Sequence, residues 1–312
     1  MFSYKPKLKH VIEAKQFSDR KLLEEMFDRA EYMERKDKKN KLPQSLKGKR
    51  VASFFYEEST RTRFSFETAV LALGGKVVST DKASQFSSVA KGETLEDTIR
   101  ILSSYFHAIV MRHNIKGSAK IASTYSEVPI INAGDGEGEH PTQALLDVYT
   151  IKKEIGRIDD FSIAMVGDLK YGRTIHSLTY LLESHKNVKI YFVSPKTLSI
   201  PEEHIQSMIA SKTQFEETEN MEEALDKVDV LYMTRVQKER FPNQEEYDKV
   251  KDFYILDKDM LRKMKPEAII MHPLPRIKEI DPKIDTDPRA AYFRQAKNGL
   301  YIRMALLDMI LG

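Results

Sequence analysis

Cysteine is absent from all 312 residues. Disulfides, a thiol nucleophile and thiolate metal ligands are therefore excluded. Long apolar runs are missing too, and none approaches the length of a bilayer span. Met1-Phe2-Ser3-Tyr4-Lys5 opens no signal-peptide core, so a cytoplasmic location is expected. Charge of one sign is also lacking. Fifty basic and 47 acidic side chains leave a net charge of +3, too balanced to argue for nucleic acid or a membrane as partner. The short basic stretch Lys36 to Lys41 is broken by Asp37 and reads as a solvated loop. There is no internal repeat, no low-complexity segment, no G-x-G-x-x-G fingerprint and no metal-ligand spacing. No cofactor is expected.

What remains is an ordinary globular composition, 41% hydrophobic and 31% charged, long enough for about two domains with a core each. Short apolar runs alternate with helical patterns along the chain. Val51–Tyr56, Ala108–Met111, Pro129–Ile131, Ser162–Val166, Val188–Val193, Val228–Met233 and Ala268–Met271 read as buried strands. Residues 18–35 carry Leu22, Leu23, Met26, Phe27, Ala30 and Met33 at helical spacing. Pro141 to Ile155 reads as one helix closed by Gly156, and Pro288 to Leu311 as a long amphipathic helix. The alternation predicts an α/β protein of two doubly wound parallel-sheet domains. The expected division is 1–145, 146–292 and a C-terminal helix, 293–312, returning to the first domain. Ser79 to Glu93 shows no regular pattern and reads as a long loop, either functional or disordered.

In such folds ligands bind beyond the carboxyl ends of the strands, and the notable polar residues follow strands. Ser59-Thr60-Arg61-Thr62-Arg63 lies between an apolar run and the helical pattern Phe64–Leu73, which Gly74-Gly75 stops. Hydroxyls and guanidiniums at a strand-to-helix turn suit a phosphate or oxyanion, because a helix start already offers unpaired N–H groups. The competing reading is a capped helix with surface arginines. Arg112 follows the strand Ala108–Met111. His140 and Gln143 stand at i and i+3, where one ligand can meet both; His140 can otherwise act as a helix cap. Arg173, in Val166-Gly167-Asp168-Leu169-Lys170-Tyr171-Gly172-Arg173-Thr174, opens a helix and suits a carboxylate. Arg235 and Gln237 share a face of extended chain. In His272-Pro273-Leu274-Pro275-Arg276 the prolines remove donors and leave carbonyls for an NH2 or NH3+ group, while His272 taken alone reads as structural. Anionic substrates follow, with a reaction that builds negative charge on an oxygen without a metal.

These blocks, in this order over nearly the whole chain, resemble the aspartate/ornithine carbamoyltransferase family. The resemblance implies an active site in the interdomain cleft that transfers the carbamoyl group of carbamoyl phosphate to an amine. Ser59, Thr60, Arg61, Thr62 and Arg112 would hold the phosphate. Thr62, Arg112 and His140 would polarise the carbamoyl carbonyl, and Gln143 with the carbonyls of Pro273 and Leu274 would bind the NH2. Ornithine-specific members carry cysteine in two of these blocks, where this chain has Thr142 and Pro273. They also need an acidic site, where this chain offers Arg173, Arg235 and Gln237; aspartate is the acceptor so implied, in a step of pyrimidine biosynthesis. The family's loop between residues 79 and 93 lends a Ser and a Lys to the neighbouring subunit. Lys91, before Gly92-Glu93-Thr94, matches that Lys, and counting back gives Ser87, with Ser88 adjacent. A shared site requires an oligomer, the resemblance implies a homotrimer, and a regulatory chain stays open as a further partner. Two rivals stand beside this reading: another amine acceptor, and a non-catalytic trimeric scaffold. No block is degenerate, which argues against the scaffold.

Overall fold

Runs of β-branched and apolar residues only four to six long can be buried on both faces at once, and they build parallel sheets. The computed structural model, which describes residues 8–86, 88–238, 241 and 243–312, forms two such sheets. By compactness the chain divides into Met1–Leu145 with Lys297–Gly312, and Leu146–Ala296.

The first unit contains α1 (Arg20–Asp37), β1 (Arg50–Phe55), α2 (Thr60–Ala72), β2 (Lys76–Thr80), α3 (Ala83–Phe86), α4 (Leu95–Tyr105), β3 (Ala108–His113), α5 (Ser118–Tyr125) and β4 (Ile130–Asp135). Its strands are all parallel, in the order β2-β1-β3-β4. The order reverses between β1 and β3, where Phe55 registers with Arg112. That reversal opens a crevice at the carboxyl edge of an open sheet. α6 (Pro141–Ile155) follows, and the division of the chain falls inside it.

The second unit holds β5 (Ser162–Val166), α7 (Arg173–Leu182), β6 (Lys189–Val193), α8 (Glu202–Ser211), β7 (Gln214–Thr218), α9 (Glu222–Leu225), β8 (Val230–Met233), α10 (Gln244–Val250), α11 (Lys258–Lys263) and β9 (Ile269–Met271). These strands too are parallel, in the order β7-β6-β5-β8-β9. The reversal here lies between β5 and β8. Ile163 to Val166 in β5 are fully buried, so the central strand is covered on both sides. α12 (Tyr292–Leu311) ends the chain. No helix among the described residues is long and apolar enough to cross a membrane.

The structure departs from the sequence reading at several places. Two strands had no apolar run to announce them: β2 and β7 are edge strands, mostly exposed, with little core to face. β4 runs past Ile131 through Asn132-Ala133-Gly134-Asp135, which are buried but polar or small. The stretch 79–93 is not structureless; β2 takes its start, then come α3 and a 3-10 turn, Ser88–Lys91. Finally, Thr60 to Arg63 are not a turn ahead of a helix. They are the first turn of α2 itself, because Ser59 already has extended N-cap geometry at φ −161° and ψ 95°.

Candidate active site

In the first unit the start of α2 sits at the β1–β3 reversal. Ser59 caps the helix with its backbone only: the carbonyl accepts from the amide of Arg63 at 3.2 Å, while the hydroxyl makes no capping bond. The amides of Thr60, Arg61 and Thr62 therefore have no intrahelical acceptor, and the positive end of the helix dipole is left facing outward. Thr60 and Arg61 are exposed, whereas Thr62 is buried. The Thr62 hydroxyl lies 3.4 Å from Nε2 of His140. His140 is buried at the head of α6, where its carbonyl accepts from the amides of Gln143 (2.9 Å) and Ala144 (3.2 Å). Its backbone thus caps the helix while its ring faces Thr62. Gln143 is buried one turn further on.

Arg63 does not join this group. Its guanidinium contacts Asp81 at 2.6 Å and Glu67 at 3.6 Å, so the second arginine of the motif is engaged with carboxylates. Arg112 lies inside β3 rather than beyond it. It donates to the carbonyl of Ala133 at 3.3 Å and pairs with Glu57 at 2.8 Å. Glu57 had no signal of its own in the sequence beyond lying two residues before Ser59. Lys91 is exposed in its 3-10 turn, and Ser87 lies outside the described residues.

In the second unit the loops after β5 and β8 are tied by Asp168. Gly167 has φ 118°, and a Cβ there would stand 2.4 Å from the carbonyl oxygen of Thr234, so only glycine lets the two loops close. The amide of Asp168 donates to the Thr234 hydroxyl at 3.1 Å. Its carboxylate accepts from the amides of Tyr171 (2.9 Å) and Gln237 (3.3 Å). Burial pushes this carboxyl up to about 6; bonds from the Tyr171, Gln237 and Lys170 amides and the charge of Arg235 oppose the rise. Arg173 is the first residue of α7, half-buried, and Arg235 is half-buried two residues beyond β8. The side-chain amide of Gln237 donates to the carbonyl of Tyr171 at 3.0 Å, so it serves the loop directly. Asp168 was part of a visible motif, but its linking role depends on a partner loop 66 residues away.

After β9, His272 is buried. It accepts from the amide of Leu274 at Nδ1 (2.8 Å), and its Nε2 lies 2.8 Å from Glu279. Pro273 and Leu274 are half-buried, Leu274 has φ 55° and the Leu274–Pro275 bond is cis. Arg276 pairs with Asp285 and donates to the Tyr292 hydroxyl at 3.1 Å, which makes it part of the loop's frame.

Two clusters that contain arginines, each at the strand-order reversal of its own sheet, therefore lie in one chain. A family model described as aspartate/ornithine carbamoyltransferase, carbamoyl-P binding domain, matches residues 9–153. Its Asp/Orn binding domain counterpart matches residues 159–310. The chloroplastic aspartate carbamoyltransferase of Arabidopsis thaliana is 54% identical, over 97% of this chain and 78% of its own length. The aspartate carbamoyltransferase catalytic subunit of Methanocaldococcus jannaschii is 51% identical, over 97% of this chain and 98% of its own. The aspartate transcarbamoylase of Trypanosoma cruzi, solved with carbamoyl phosphate and aspartate, superposes with a TM-score of 0.93 at 39% identity, covering 99% of this chain and all of that one. With the two family domains matched over residues 9–153 and 159–310, the chain belongs to the aspartate/ornithine carbamoyltransferase family.

Proposed function

We propose that this chain transfers the carbamoyl group of carbamoyl phosphate to the amine of L-aspartate, releasing N-carbamoyl-L-aspartate and phosphate. One observation carries the reading: a helix N-terminus whose Ser59 hydroxyl makes no capping bond, with Arg61 exposed beside it, adjoins the buried Thr62–His140 pair. Such a set supplies donors both to a phosphate and to an oxygen that becomes negative. Ser59, Thr60, Arg61, Thr62 and Arg112 hold the phosphate. Thr62, Arg112 and His140 donate to the carbamoyl oxygen, and Gln143 with the carbonyls of Pro273 and Leu274 takes the NH2. Before Arg112 turns to phosphate it must exchange its pairing with Glu57.

The aspartate amine attacks the carbamoyl carbon and forms the C–N bond. The oxygen goes through a tetrahedral oxyanion, the bond from carbon to phosphate oxygen breaks, and phosphate leaves with the amine proton. Arg173 and Arg235 hold the carboxylates of aspartate, with Gln237 shaping that loop. The same two charges disfavour ornithine, whose side chain ends in an ammonium.

Lys91 and Ser87 belong to this proposal as residues lent to a neighbouring copy, which makes a homotrimer the working assembly. The exposure of Lys91 in a single chain supports that part. A cytoplasmic location is proposed as well; because plant relatives carry the word chloroplastic in their names, cell fractionation is the measurement that decides it.

The test supplies carbamoyl phosphate with L-aspartate or with L-ornithine to the purified chain. Product with aspartate alone supports the reading. Product with ornithine overturns the role given to Arg173 and Arg235, and no product with either from a folded protein overturns the reaction.

A further inference from the structure

We propose that His272 is a positioning residue that aims the carbonyls of Pro273 and Leu274 and so sets the preference for an NH2-bearing acyl phosphate. The inference rests on the assignment of those carbonyls to the carbamoyl NH2. A backbone amide can only donate, so the bond from the amide of Leu274 to Nδ1 requires that nitrogen to be unprotonated. Nε2 then carries the proton and donates to Glu279 at 2.8 Å. The other oxygen of Glu279 accepts from the amides of Ile277 and Lys278, both at 3.0 Å. One carboxylate thus ties the ring to the far end of the same loop.

The backbone on the other side is pinned as well. The amide of His272 donates to Gln295 at 2.8 Å, Gln295 donates to Asp147 at 2.7 Å, and Tyr232 donates to the second oxygen of Asp147 at 2.8 Å. All of these groups are buried, and a satisfied buried network is rigid. Leu274 at φ 55° occupies the left-handed region, where a leucine stays only if its surroundings over-determine it. The bond to Nδ1 is the restraint that acts on its own amide. Burial raises the Glu279 carboxyl, but bonds from His272 and the loop amides outweigh it and hold the group below its usual range. The carboxylate is therefore present to fix the ring.

Acetyl phosphate is the probe that isolates this role, because it keeps the phosphate and the carbonyl and replaces NH2 by CH3. Binding of carbamoyl phosphate and acetyl phosphate is measured by calorimetry on the purified protein in its native assembly. His272→Asn keeps an acceptor close to the position of Nδ1, whereas His272→Gln reaches toward Glu279 and leaves the Leu274 amide unmatched. The expected result is a native preference for carbamoyl phosphate that persists in His272→Asn and shrinks roughly tenfold in His272→Gln, with acetyl phosphate affinity unmoved. Equal preference in the two variants overturns the proposal, as does a parallel loss of both ligands, which a merely structural histidine would cause. No preference in the native protein instead overturns the NH2 assignment, and the proposal with it. Nitrogen NMR of the unaltered protein guards against variants that fail to fold. An unprotonated Nδ1 whose resonance moves with carbamoyl phosphate and not with acetyl phosphate supports the proposal; the opposite tautomer overturns it.

Discussion

The hydroxyl of Thr62 lies 3.4 Å from Nε2 of His140, across 78 residues of sequence. The first residue belongs to the opening turn of a helix after β1, the second to the head of a helix after β4. Each is buried, and each sits at the start of its helix, where backbone amides lack acceptors within the helix itself. An oxygen that gains charge beside this pair meets donors already in place.

His140→Ala is therefore expected to lower kcat by about 10²–10³-fold, the usual effect of removing one oxyanion donor. Affinity for carbamoyl phosphate should move far less. Steady-state kinetics with calorimetric binding separates the two; an unchanged kcat would remove His140 from the reacting end.

Arg61 and Arg63 are two residues apart and should behave differently. Arg61→Ala is expected to cost about 10²-fold or more in kcat/KM for carbamoyl phosphate, through a charge-assisted contact that strengthens with the transferring phosphate. Arg63→Ala gives up a half-buried pairing with Glu67 and one with the exposed Asp81, worth about 1 kcal/mol of stability, and should keep near-native turnover. Similar losses in the two variants would contradict the division of labour.

Arg235→Ala should raise KM for aspartate by about 10- to 100-fold and leave carbamoyl phosphate affinity in place. A matching loss for carbamoyl phosphate would show that Arg235 acts on the wrong substrate for this assignment.

Lys91→Ala and Arg61→Ala should each have strongly reduced activity alone. Mixed before assembly, the two chains should regain activity, since some sites then combine an intact Arg61 with an intact Lys91 from a neighbour. Mixed assemblies that stay inactive would refute the loan of Lys91 between copies.

The carboxyl of Asp168 is raised from 3.8 to about 6 by burial, so the folded protein holds its proton more tightly than the unfolded chain. The stability this contributes is complete below about pH 4 and is lost as pH rises through about 6. Asp168→Asn cannot ionise. The stability of the native protein relative to that variant, followed by thermal unfolding, should fall by on the order of 2–3 kcal/mol between pH 4 and 6 and then level off. A difference independent of pH would mean the buried carboxyl is not raised.

The central strands were legible because they are buried on both faces and read as unbroken apolar runs, as in Ser162–Val166. The same reasoning had no purchase on β2 and β7, whose exposed residues give no such run, nor on Asn132–Asp135, where polar groups are buried inside a strand. The residue types of the two arginine-containing clusters were visible as motifs after strands. Their restraints were not. Glu57 on Arg112, Asp168 across to Gln237, and Glu279 on His272 are carboxylates whose partners are set by tertiary geometry, and an isolated Asp or Glu carries no pattern that names its partner. Arg63 shows the reverse: the motif grouped it with Arg61, and only the fold placed it against Asp81.

Ser59 has the side chain best suited to closing a helix end and leaves that task undone. On the proposed assignment, a phosphate bound at Ser59 completes the end of the helix. Without a side-chain cap the helix forgoes about 1 kcal/mol, and added phosphate is expected to raise the thermal midpoint. If phosphate binds as proposed, endurance and turnover pull on Ser59 in opposite directions: a hydroxyl spent on sealing its own helix end is one fewer for the substrate.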